Sequence, residues 1–142
     1  MKIILPVLIL YLAFIACTKQ NATPANPANE MVDTTSSLVI YKGSFANGPF
    51  GVVSGTVNIY ESNGNHILAL KEFETSNGPD LHVYLSGEEQ PIHFIDLGKL
   101  KSTSGYQVYN IPANTDFNVY KYALIHCQEY NHLFGSTLLE KE

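Results

Sequence analysis

A chain of 142 residues with a formal net charge of −5 has room for one domain of ordinary size and carries no surplus of positive charge. Its eight basic residues are all lysines, scattered singly except for Lys99 and Lys101. This excludes nucleic acid as a partner, because phosphate binding needs clustered Lys or Arg to displace counterions. Hydrophobic residues make up 45% and include 9 Tyr and 7 Phe, enough to fill a core, and the aromatic weight favours strands over helices.

The amino terminus reads as a targeting segment. Lys2 is followed by an almost unbroken apolar run from Ile3 to Ala16, shorter than the ~20 residues of a spanning helix. The run ends in Phe14-Ile15-Ala16-Cys17 and gives way to polar Thr18-Lys19-Gln20. A short apolar run, a small residue and a cysteine resemble the lipobox of bacterial lipoproteins, with Phe14 where that pattern usually has Leu. The resemblance implies that residues 1–16 are a signal peptide and that cleavage leaves Cys17 with diacylglycerol on its sulfur and acyl chains such as palmitate. Thr18 in place of Asp resembles outer-membrane sorting. An uncleaved amino-terminal anchor is the alternative, and both place the chain on a membrane of the bacterial cell envelope. With Cys17 lipidated, Cys127 is the only thiol left and no intramolecular disulfide can form.

Residues 17–37 are predicted to be the lipidated cysteine and a disordered tether. The stretch is rich in Asn, Pro, Thr and Ala and has little to bury against its ordering entropy. The folded part is predicted to span residues 38–142. Leu38-Val39-Ile40-Tyr41 reads as a strand, and residues 52–60 alternate. Asn63-Gly64 is the pair favoured in tight hairpins, and it hands over to a central strand, His66-Ile67-Leu68-Ala69-Leu70.

Gly78-Pro79 then punctuates the backbone ahead of a strand with Leu81, Val83 and Leu85 on one face and Asp80, His82 and Tyr84 on the other. Further strands are expected at residues 93–97, 106–111 (stopped by Pro112), 119–127 (the longest) and 133–139. About eight short strands with turn signals every eight to twelve residues predict an all-β fold, a single antiparallel β-sandwich or partly open barrel.

No Cys-x-x-Cys, Cys-x-x-Cys-His, His-Glu-x-x-His or Gly-x-Ser-x-Gly occurs, and no glycine-rich loop leads into a helix. Hydrolase and nucleotide chemistry are disfavoured, and nothing points to a stand-alone enzyme. Asp80 and His82, two apart on one strand face, can converge on a metal ion. Equally, Asp80 can serve only the turn, while His82 and Tyr84 face solvent or a neighbouring strand. His126 and Cys127 are adjacent on a strand and so point to opposite faces. Cys127 shares parity with Ala123 and Ile125, which look inward. It can be an inert core thiol, a redox thiol, or a ligand of a metal or haem. A redox role needs a cation or imidazole brought in by the fold, such as His82 or His132. Tyr60, Tyr84 and Tyr106 are read as exposed contacts for a glycan or partner protein.

Four blocks in order resemble the DM-thirteen domain, an all-β module also found in animal proteins beside DOMON and cytochrome-b-type domains. They are the stretch from Asn77 through Gly78-Pro79-Asp80 to Leu85, then Ile95-Asp96-Leu97-Gly98-Lys99-Leu100-Lys101, then Gly105-Tyr106-Gln107-Val108-Tyr109-Asn110-Ile111-Pro112, and last Ala123-Leu124-Ile125-His126-Cys127 with Phe134-Gly135. The resemblance implies electron transfer through Cys127, as a naked thiol or as ligand to a prosthetic group, and a redox partner protein. His126 stands where the family commonly has Trp and offers a second, imidazole ligand.

Overall fold

The computed structural model describes residues 22–142, so the signal peptide and Cys17 lie outside the described residues. The described chain is all-β, with two packed sheets and no closed barrel. It has eight strands of six residues or more and three two-residue pairings.

In chain order the strands are β1 (Ala28–Asn29), β2 (Leu38–Ser44), β3 (Ala46–Asn47), β4 (Val53–Ser62), β5 (Asn65–Thr75), β6 (Leu81–Ser86), β7 (Phe94–Lys99), β8 (Ser104–Ile111), β9 (Tyr122–Cys127), β10 (His132–Leu138) and β11 (Glu140–Lys141). One sheet runs β1-β8-β5-β4-β2-β11 and the other β3-β10-β9-β6-β7. Every pairing is antiparallel except that of β1 with β8.

The alternation read in the sequence builds the core. Val57 and Ile59 of β4 and Leu68 and Leu70 of β5 face Leu81, Val83 and Leu85 of β6 and Ala123, Ile125 and Cys127 of β9. The β4–β5 hairpin turns at Asn63-Gly64, both at positive φ, which is the conformation the Asn-Gly pair favours. Further along, the ladder shifts register between Ser54 and Thr56, where Gly55 sits at φ 100°. A Cβ there would lie 2.6 Å from the Glu72 carbonyl oxygen, so only glycine lets the two bulged strands bend together.

Three expectations are corrected. The strand predicted over residues 119–127 begins only at Tyr122. The Asp116 carbonyl accepts from the Val119 and Tyr120 amides, and the Asp116 carboxylate from the Asn118 amide, which winds 116–120 into a turn. The longest strand is instead β5, carried past Leu70 by a bulge with Glu72 at positive φ. The third concerns the tether, which is docked on the domain from Thr23 to Val32. The Thr23 carbonyl accepts from the Asn77 side chain, Pro24 from the Thr103 amide and Asn26 from the Ser102 hydroxyl. Ala28 and Asn29 pair with Gly105 and Tyr106, and Glu30 meets Lys101 at 2.8 Å. Backbone hydrogen bonds, the Glu30–Lys101 ion pair and one buried apolar side chain, Val32, hold this strap, so hydrophobic patterning carried no signal for it.

The core and rim separate cleanly in energy. Leu85→Ala, at a fully buried site, is expected to cost about 2–5 kcal/mol in urea denaturation, and Leu138→Ala, at a half-exposed site, within about 0.5 kcal/mol. Similar losses at the two sites would contradict the inward assignment of β6.

Candidate functional site

Cys127 is the last residue of β9, 1% exposed, in the main core cluster with Val53, Leu81, Ile125 and Phe134. Its cross-strand partners are Leu81, which opens β6, and His132, which opens β10. Three strand ends therefore make the terminal layer of the core. Directly paired residues share a face, so the His132 imidazole lies on the side of the sheet that carries the thiol. The His132 ring is stacked on Phe50 with centroids 3.7 Å apart. Of the two histidines considered from sequence, His132 is brought to the thiol's face; His82 is on the other.

His126 points away from Cys127, as strand alternation requires, and pairs across the ladder with His82 and Leu133. The two cannot share one ligand. Cys127 is packed on the core side by aliphatic and aromatic groups. A haem or other bulky prosthetic group on its sulfur, the option implied by family resemblance, does not fit this filled interior.

The outer face of the β6–β9 ladder is polar yet buried. His82 Nδ1 lies 3.0 Å from both carboxylate oxygens of Asp96. Asp96 also accepts from Gln128 Nε2 at 2.8 Å and from the Gly98 amide at 2.8 Å. His82 Nε2 faces Asp80 Oδ1 at 3.4 Å, and Lys99 Nζ reaches the same oxygen at 3.0 Å as an ion pair outside hydrogen-bond geometry. Lys99, first, holds the Asp80 carboxyl below the usual carboxylate range. Asp80 and His82 are thus adjacent, as the strand spacing implies, with an ammonium already beside the carboxylate. No group of three or more His, Cys, Asp or Glu that could hold a metal ion occurs among the described residues.

Tyr84 stacks on Phe94 with centroids 4.3 Å apart and planes 18° from parallel. Together with Pro91, His126, Gln128 and Asn131 they line an open cleft of about 370 Å³. Sequence reasoning missed this cleft, because Tyr84 of β6, Phe94 of β7 and the Gln128–Asn131 turn after β9 are three segments that meet only through the β6–β7 and β6–β9 pairings. The tyrosines expected as exposed contacts are differently placed. Tyr60 and Tyr84 are buried and Tyr106 half-buried, because β1, β7 and the strap flank sheet faces expected to meet water.

His126 is 4% exposed, with Nε2 on Asn131 Oδ1 at 3.0 Å and Nδ1 without a partner among the described residues. Burial pushes its pKa below the ordinary 6.5. The unfolded chain therefore takes up this proton first, and the stability contributed by the neutral ring is complete above pH 6.5 and lost as pH falls below it. Between pH 7.5 and 5.5, urea denaturation should show a loss of stability that His126→Gln reduces, and an unchanged loss in that variant would contradict the neutral, buried ring.

No curated protein and no solved structure matches the chain. Strands β3 to β10 and the terminal layer around Cys127 fall, however, within residues 44–139, from the end of β2 to the residue after β10, and that is the span matched by the family model described as Electron transfer DM13. The chain belongs to the DM13 family of electron-transfer domains.

Proposed function

We propose that this DM13 domain is a membrane-anchored electron carrier of the bacterial cell envelope, with the outer membrane favoured. Lipid on Cys17 holds it, and Cys127 exchanges electrons with a redox partner protein. It is not a stand-alone enzyme in this reading. The observation that carries it is the position of Cys127, a lone thiol in the last core layer with an imidazole paired across the ladder. With Cys17 occupied by lipid, Cys127 has no partner within the chain, so its two-electron chemistry is thiol–disulfide exchange with a partner's disulfide. The Cys127 sulfur attacks one partner sulfur, a mixed disulfide forms, and the other partner sulfur leaves as a thiolate. The Cys127 proton passes to a base, for which His132, its cross-strand partner, is the candidate.

A sulfur 1% exposed reacts only when the terminal layer opens. Strand ends open with lower free energy than the core as a whole. Alkylation by iodoacetamide should therefore be at least about tenfold slower in the folded protein than in urea, yet faster than global unfolding permits. A rate that tracks global unfolding would leave Cys127 an inert core residue.

The cleft at Tyr84 and Phe94 favours a second reading, a non-catalytic binding module for a glycan or partner protein, since an aromatic floor with an amide rim suits such ligands. The two readings part on mutation. Loss of function in Cys127→Ser with Phe94→Ala unaffected supports the carrier, and the reverse pattern supports the binding module.

A further inference from the structure

The strap leaves the domain at the end of the sandwich that holds Cys127. The Thr23 carbonyl is held by Asn77 in the turn before β6, whose first residue, Leu81, pairs with Cys127. From Asn77 a continuous row of contacts crosses that end. The neighbouring Ser76 exchanges bonds with Val52, its amide donating to the Val52 carbonyl at 2.9 Å and its hydroxyl accepting from the Val52 amide at 3.1 Å. Phe50, two residues earlier, stacks on His132, and Tyr130 lies 5.9 Å from the same imidazole. Phe50, Val52 and Tyr130 are 55%, 63% and 59% exposed. Three large side chains with apolar surface therefore stand in water at the end from which the strap departs.

Docking the strap also shortens the link to position 17. Were the chain free up to Leu38, the span from Cys17 could reach about 70 Å fully extended; from Thr23 it reaches only about 20 Å. The docking is built into the fold. At Gly105, φ 98°, a Cβ would collide with the Ala28 carbonyl, so this glycine leaves room for β1, and Glu30 accepts from the Val108 amide at 2.8 Å as well as from Lys101.

We infer that the strap and the Phe50–Val52–Tyr130 end form a bilayer-docking surface, which seats the Cys127 end of the sandwich at the lipid headgroups. The inference rests on the reading that Cys17 carries lipid. Aromatic and aliphatic side chains on a short lipid leash fit the interface physically, because aromatic rings favour the headgroup level and apolar area buried there adds to the hold of the anchor. The electron partner is then one held in or at the same membrane.

The test uses the full lipid-modified chain in phosphatidylcholine vesicles with brominated acyl chains. The protein has no Trp, so one indole can be placed at a time. Phe50→Trp reports the proposed docking end, and Val119→Trp, half-exposed in the 116–120 turn that leads into the other end of β9, reports the opposite end. Bromine should quench the Phe50→Trp indole about twofold more than the Val119→Trp indole, as expected for a side chain seated at the headgroup level. Adding Glu30→Ala with Lys101→Ala, which loosens the strap, should narrow the difference. Equal quenching at both ends in protein whose Cys17 mass shows lipid overturns the docking surface alone. An unmodified Cys17 overturns the anchored reading, and the docking surface with it.

Discussion

The constraint on which the structure depends is the antiparallel pairing of β6 with β9 over the β4–β5 hairpin. Because neighbouring residues on a strand face opposite ways, this one ladder decides the fate of two consecutive residues. Cys127 goes into the core and His126 to the outer face, where it meets His82 across the ladder. The interior is filled with close-packed apolar groups, which keeps water and bulky ligands from the sulfur. Together with the β6–β7 pairing, the same ladder gathers Asp96, Gln128 and Asn131 around the outer histidines. Any redox role of the thiol therefore depends on movement at the strand ends.

The longer elements were legible because their signals are local. Alternation in residues 81–85, the Asn63-Gly64 turn and the parity of Cys127 with Ala123 and Ile125 each follow from a few adjacent residues. The opposition of His126 and Cys127 came from the same parity. What was not legible needs partners distant in sequence. The strap docks through backbone carbonyls that any sequence possesses. β5 extends through a bulge that breaks its pattern at Glu72, and Tyr84 is buried because Phe94 stacks on it from the adjacent strand. The pairing of Cys127 with His132 depends on the register of β10, which sequence periodicity does not report.

The strap changes the physical picture of the molecule. The family match begins at residue 44, so the docked residues 23–32 lie outside it. They are held to β8 by main-chain bonds and by the Glu30–Lys101 ion pair, whose partly exposed setting limits its worth to about 1 kcal/mol. The backbone pairing and the burial of Val32 carry the rest of the docking. A stretch that reads as a loose tether is thus docked from Thr23 to Val32, and its first docked residue lies at the end of the sandwich that holds the thiol.

The central claim, that Cys127 is the group through which electrons pass, is tested most directly by acid-trapping thiols in intact cells and measuring the state of Cys127 by mass. The account predicts a fraction of Cys127 in mixed disulfide with a second protein, absent in Cys127→Ser cells. Cys127 found wholly as free thiol under both oxidising and reducing growth would contradict it.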